Sequence, residues 1–426
     1  MIIQPRALLR EYSLLLLFSF RWVLLSAIVG GLAGTASAGF LVALDFVTNW
    51  RELHPWVIAL LPVGGLLVGL LYHYWGKSVE GGNNLLLDEI NQPAQLVPLR
   101  MVPLVLVGTL LTHLFGGSAG REGTAVQMGG ALADQLSCWP RLIRRRERRF
   151  LLLAGLSAGF ASVFGTPLAG AVFGLEVVVL GRLRYDALLP AFLAAAAADY
   201  VTRAWGVGHT AYPLLAVPAL APLPLLSAAA AGVAFGLAGR LFAGATHVVS
   251  DFYKRTIAWP PLRPVVGGAV VALLLWAAGT TRYSGLGVPT IVQAFQEPLP
   301  VYVFALKILF TALTLGAAFK GGEVTPLFFV GATLGNALAL VLPLPMPLLA
   351  GLGFAAVFAG AANTPLACTL LAMELFGHEC GLYAGLACVV SYLFSGHRGI
   401  YGAQVVGQAK HGLWQRQQGR RLRDLL

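Results

Sequence analysis

Charge is what this sequence has least of. Only 11% of its 426 residues are Asp, Glu, Lys or Arg, against about 25% in soluble globular chains. Hydrophobic residues make up 58%. Too little polar surface remains to keep such a chain in water, which excludes a string of soluble domains. Cysteine is scarce as well. Cys138, Cys368, Cys380 and Cys388 form no CxxC and no paired spacing, so neither a disulfide framework nor a metal cluster is expected. The eight histidines stand singly and suit structural or interfacial places. No cofactor is implied.

What the chain does have is apolar sequence broken by 51 glycines and 24 prolines. Breakers among apolar stretches suggest helices that pack closely or stop inside a membrane. The formal charge of +11 does not point to nucleic acid. Much of it gathers at Arg6 and Arg10, in residues 141–149 and in residues 410–423, as the positive-inside rule requires of cytoplasmic segments. Both termini are therefore expected in the cytoplasm of a multi-pass protein of the cell membrane. The N-terminus imitates a secretory leader, with Ala36-Ser37-Ala38 resembling a cleavage site. Arg21 and Trp22 interrupt its apolar run and many spans follow, so a first membrane helix is the better reading.

An internal repeat organises the rest. Ala154-Gly-Leu-Ser-Ala-Gly-Phe-Ala through Thr166-Pro-Leu-Ala-Gly to Glu176 returns as Leu352-Gly-Phe-Ala-Ala-Val-Phe-Ala through Thr364-Pro-Leu-Ala-Cys to Glu374. Glu122-Gly-Thr124 and Glu323-Val-Thr325 correspond at nearly the same offset. Residues 150–181 are basic at both ends, so this segment should enter and return, breaking near Gly165-Thr166-Pro167. Its counterpart, 350–376, has no flanking Lys or Arg, as on the external face. The expected fold is an all-α polytopic membrane protein built as an inverted repeat with many short, tilted or broken helices. One transmembrane domain is expected over 1–426, with halves at 13–200 and 214–402 and a short cytoplasmic tail at 403–426.

Two Gly-rich turns carry the chemistry: Gly116-Gly-Ser-Ala-Gly-Arg121-Glu122-Gly-Thr124, and Lys320-Gly-Gly-Glu323-Val324-Thr325-Pro326. Each leads into a helix start, and Pro326 suits a first turn. Unpaired N–H groups and the macrodipole make such a start an anion site. A glutamate there competes with the anion for the same donors unless it is protonated or swings away. Loss of water makes a carboxyl hold its proton more readily, and an ionisable group at membrane depth is a functional candidate. Glu176 and Glu374 end equivalent repeat helices and are expected to cap or pair. Lys307 and Lys320 can tune the anion potential, and Lys307 can equally snorkel.

Gly120-Arg121-Glu122-Gly123 followed by Val126-Gln127-Met128-Gly129 resembles the gating-glutamate motif of the CLC chloride channel and transporter family. Thr166-Pro-Leu-Ala-Gly-Ala-Val-Phe173 with Glu176, and Gly399-Ile400-Tyr401-Gly402, resemble two further CLC segments in the family's order. The resemblance implies partial helices meeting at an anion site, in a homodimer with a separate pathway per subunit. Thr124 stands where chloride-handling relatives usually carry Pro. The Gly-x-Phe-x-Pro turn reads Gly322-Glu323-Val324-Thr325-Pro326, and Val177 falls where chloride/proton antiporters keep an inner proton-relaying glutamate. These departures resemble the fluoride/proton antiporter branch, CLC-F.

The resemblance implies fluoride and proton as substrates. Fluoride is small and strongly hydrated, so removing its water needs several strong donors. Asn83, with Asn84 as the register alternative, takes the place of a serine. Thr325, Tyr401 and the N–H groups of Glu323 and Val324 complete a shell, with Glu122 competing for it. The branch places phenylalanine ring edges near fluoride, and Leu85-Leu-Leu87 offers none. Glu122 is the expected gate and Glu323 the inner proton participant, with Thr325 as the hydrogen-bond partner of Glu323. The expected activity is fluoride export driven by inward proton flow, not enzymatic. Rivals are a chloride or nitrate antiporter or passive channel of the same fold, and an intramembrane enzyme using paired glutamates as acid and base.

Overall fold

The computed structural model describes residues 5–139, 143–144, 147–213 and 216–425, with side chains from Glu11 onward. Arg6, Arg10, Arg141, Arg145 and Arg146, on which part of the charge-based topology rests, lie outside the described side chains. The first half holds α1 (Pro5–Leu53), α2 (Leu61–Leu71), α3 (Asn83–Asn91), α4 (Met101–Leu114), α5 (Glu122–Gln135), α6 (Arg148–Phe164), α7 (Pro167–Glu176) and α8 (Leu188–Ala204). The second holds α9 (Pro222–Thr256), α10 (Leu262–Ala278), α11 (Val288–Gln293), α12 (Val303–Gly316), α13 (Val324–Leu338), α14 (Met346–Ala362), α15 (Pro365–Phe376) and α16 (Gly381–Phe394). Helices of equal rank correspond. Both α4 and α12 have 14 residues, both α6 and α14 have 17, and α5 and α13 have 14 and 15.

Three stretches, Glu11–Leu53, Pro55–Asn91 and Pro222–Thr256, are long and apolar enough to cross a membrane. Ser37 and Ala38 of the leader-like segment are buried within the first of them. Helices α5 and α13 fall short of the roughly 20 residues a perpendicular crossing needs. The expected break is present. Gly165 closes α6 in the left-handed region (φ 69°), and Pro167 opens α7. In the second half Asn363 does the same (φ 59°) before Pro365, because Asn tolerates that region better than other side-chain-bearing residues. Arg149 Nη2 lies 2.9 Å from Asp186 Oδ2, so both ends of the first hairpin share one face, as the charge pattern requires. Close crossings recur too. A Cβ on Gly129 would lie 2.4 Å from Gly155 O, and one on Gly331 2.0 Å from Gly353 O. Only glycine admits such helix contacts.

The inversion is visible in a carboxylate exchange. Glu176, ending α7, accepts the N–H groups of Leu366 (3.1 Å) and Ala367 (2.8 Å) at the start of α15. Glu374, in the last turn of α15, accepts those of Leu168 (2.9 Å) and Ala169 (2.8 Å) at the start of α7. Equivalent helices therefore run antiparallel, each capped by the other's glutamate. Just after α7, β1 (Val179–Leu180) pairs in parallel with β2 (Val405–Val406) of the C-terminal segment. Arg421 and Arg423 reach Asp88 of α3 at 3.2 and 3.0 Å. Glu176→Ala and Glu374→Ala are each expected to lower thermal stability in detergent by about 0.5–2 kcal/mol, the range for losing a helix N-cap. Unfolding monitored by intrinsic tryptophan fluorescence measures this, and a near-zero shift in either variant would contradict the exchange.

Candidate functional site

The two Gly-rich turns meet face to face. Gly120 N–H donates to Gly322 O at 2.6 Å, and Gly322 N–H donates to Gly120 O at 2.7 Å. This antiparallel bridge aims the N-termini of α5 and α13 at one point, where their positive dipole ends add. Glu122 fills that point and is only 1% exposed. Its Oε2 accepts the N–H groups of Arg121 (3.1 Å) and Thr325 (3.1 Å), and its Oε1 accepts the Thr325 hydroxyl at 2.5 Å. Arg121 Nε stands 3.8 Å from Oε1. The carboxylate of one half thus occupies the helix start of the other, where an anion would sit.

Thr325 was expected to partner Glu323, and here the structure differs. Thr325 is the second residue of α13 and its hydroxyl faces the cleft between the halves. Glu323, at the N-cap, instead lines the inner cavity. The N–H groups of Glu323 and Val324 take no backbone acceptor among the described residues, as at any helix start.

Two cavities approach Glu122. The first, termed inner, is about 520 Å³ and is lined by Asn83, Asn84, Lys320, Glu323 and Tyr401 among others. The outer one, about 480 Å³, includes Arg51, Arg121 and Arg282. The two asparagines separate by role. Asn84 Oδ1 accepts the N–H of Ala403 at 2.9 Å and so ties α3 to the tail. Asn83 Oδ1 is buried without a partner among the described residues. Leaving such a group unpaired costs about 1–3 kcal/mol, a penalty that a packing role does not explain. Its Nδ2 lies so near α5 that a Cβ on Gly123 would come within 3.1 Å.

Asn83, Tyr401, Phe173 and Val177 also line a void of about 10 Å³, room for one water-sized particle. Leu85-Leu-Leu87 brings no ring to this void, whereas Phe173 does, 6.4 Å from the Tyr401 ring centroid at 64°. Phe160 and Phe358 stack behind it at 4.3 and 6.0 Å. Phe173 lay within a segment singled out from sequence, but proximity in the chain was the wrong guide to it. Lys307 does not snorkel. It is fully buried, and its Nζ donates to the carbonyls of Tyr283 (3.2 Å) and Gly285 (2.8 Å).

Two serines stand in Gly-x-Ser-x-Gly frames, Gly116-Gly-Ser118-Ala-Gly120 and Gly155-Leu-Ser157-Ala-Gly159. Ser118 Oγ pairs with Thr311 Oγ1 at 2.9 Å, and Ser157, inside α6, donates to Ala171 O at 3.3 Å. Neither hydroxyl meets a histidine or carboxylate base among the described residues, so neither forms a strand-to-helix nucleophile elbow.

Residues 64–396 match the family model described as voltage gated chloride channel. The chain belongs to this CLC family. A "chloride/fluoride channel protein" of Pseudomonas syringae pv. tomato is 58% identical over 403 residues, covering 93% of this chain and 89% of its own. The "voltage-gated ClC-type chloride channel ClcB" of Salmonella dublin is 28% identical, covering 88% of this chain and 96% of its own. Among solved structures, a CLC-type fluoride/proton antiporter superposes with a TM-score of 0.87 at 38% identity, covering 90% of this chain and 97% of that one. A slow cyanobacterial Cl-/H+ antiporter gives 0.78 at 22%, covering 89% and 96%, and shares the fold. This CLC chain is accordingly an integral membrane protein with the family's mostly helical inverted repeat.

The asparagines give a test. Asn84→Ala should lower thermal stability, since it frees the tail N–H of Ala403. Asn83→Ala should leave stability unchanged or higher while weakening halide binding, read by titration calorimetry. The reverse assignment of effects would contradict the division of roles.

Proposed function

We propose that this CLC protein exports fluoride in exchange for protons entering the cell. The observation that carries this reading is the Glu122 carboxylate seated on the N–H and hydroxyl of Thr325, opposite Glu323, in a site where Val177 replaces a carboxyl. Ionised Glu122 fills the anion position and closes the path. Once protonated it loses its charge-assisted bonds and yields the place to fluoride. Fluoride then meets a ring of donors: the Thr325 hydroxyl and N–H, the free N–H groups of Glu323 and Val324, the Asn83 amide and the Tyr401 hydroxyl. Glu323 faces the inner cavity and carries the proton on that side. The inner cavity opens to the cytoplasm, with both termini there, and two copies assemble with one pathway each.

The names borne by the 58%-identical relative and the 38%-identical antiporter structure support fluoride as substrate. Chloride is the second reading, favoured by the chloride named in several relatives. The Asn83 amide N–H group beside the start of α5 and the water-sized void argue for the smaller ion.

Purified protein in liposomes, followed with fluoride and pH electrodes and repeated with chloride, decides between them. Fluoride efflux with proton counterflow is expected, chloride flux being much slower. Glu122→Gln should cut proton-coupled flux by about a hundredfold or more, the lower range for losing a positioned proton-transfer group. Equal chloride flux would overturn the substrate, and intact coupling in Glu122→Gln would overturn the gate.

A further inference from the structure

The seam between α2 and α10 ends in a basic cleft that the transport scheme leaves unused. Along the seam the two helices are in tight contact. A Cβ on Gly65 would lie 2.3 Å from Pro264 O, and one on Gly69 2.8 Å from Pro261 O. Beyond Gly69 the α2 helix widens into a π turn, Tyr72–Gly76, a feature frequent at functional sites. There a cavity of about 330 Å³ opens. Its walls carry His73, Lys77, Arg263 and Lys320 against a single carboxylate, Glu80.

The cations are poorly satisfied. Arg263 spends its Nε on Ile257 O at 3.1 Å, and its Nη groups have no partner among the described residues. Lys320 Nζ sits 4.0 Å over the Tyr72 ring and makes no ion pair or hydrogen bond among the described residues. Beside the cleft, Tyr74 and Trp75 are 67% and 61% exposed, in the manner of aromatic anchors at a membrane–water boundary. Free basic donors between two apolar helices, beside exposed aromatic side chains, suit a phosphodiester.

We propose that this cleft binds the phosphate of an anionic phospholipid. Lys320 and Glu80 also line the inner cavity that contains Glu323, so the bound phosphate draws the Lys320 charge away from the anion path. Anionic lipid then raises the fluoride concentration needed for half-maximal transport. This second step rests on the fluoride reading, and the binding step does not.

The experiment compares wild type with Lys77→Gln/Arg263→Gln, neither residue lining the inner cavity. Phospholipid retention is measured by native mass spectrometry of protein carried in phosphatidylglycerol. Fluoride flux is measured in phosphatidylcholine vesicles, in vesicles containing phosphatidylglycerol, and in phosphatidylcholine vesicles bathed in glycerol phosphate. Wild type should retain phosphatidylglycerol and the double variant should lose it. In the anionic vesicles wild type should need about fivefold more fluoride than the variant, the two being alike in neutral vesicles. Lys77→Gln alone should give part of each shift, which keeps the test open if the double variant folds poorly. Equal lipid retention by wild type and variants overturns the site. An equal effect of soluble glycerol phosphate overturns the lipid assignment. Absence of fluoride flux in wild type with selective lipid retention overturns the transport reading and leaves the site standing.

Discussion

Two backbone hydrogen bonds between Gly120 and Gly322 hold together helix starts whose dipoles repel. With α5 and α13 aimed at each other, their first-turn N–H groups converge with too few acceptors. Something negative has to sit between them, and in this state it is Glu122. The arrangement needs an inverted repeat, because only antiparallel halves bring two equivalent N-termini to one point. It also needs glycine in both turns, since the backbones touch there. The same logic recurs in Glu176 and Glu374, where each half again supplies a carboxylate to the other's helix start. Those two stand on short capped helices away from the cavities, whereas Glu122 stands between two cavities. That difference separates a structural carboxylate from one that can be displaced.

The surroundings of Glu122 narrow what can displace it. Asn83 brings its amide Nδ2 donor to the start of α5, Tyr401 and Phe173 close a void of about 10 Å³, and Val177 contributes no charge. A small anion that demands direct donors fits this better than a large one satisfied by a loose shell.

Much of the fold was legible because its signals are local. Gly165 and Pro167, with Asn363 and Pro365, mark breaks by their own backbone preferences. The Glu122 and Glu323 turns announce helix starts by composition. What resisted reading was which groups meet across the fold. Capping by Glu176 and Glu374 was foreseeable from their positions, but the exchange between halves depends on how the helices pack. Thr325 was assigned to the glutamate two residues away, and the tertiary approach of Glu122 won. Phe173 supplies a ring that sequence proximity sought beside Asn83. Lys307 is held by two carbonyls of a distant loop, and its spacing in the chain carries no trace of that.

The central claim is that fluoride and the ionised Glu122 carboxylate exclude each other at the start of α13. If so, fluoride can bind there only as Glu122 takes up a proton. The most direct measurement is proton uptake from weakly buffered detergent solution as fluoride is added to the purified protein. The account predicts uptake that saturates with fluoride in the wild type and vanishes in Glu122→Gln, although the variant still binds fluoride. Fluoride binding without proton uptake in the wild type, or equal uptake in the variant, would contradict it.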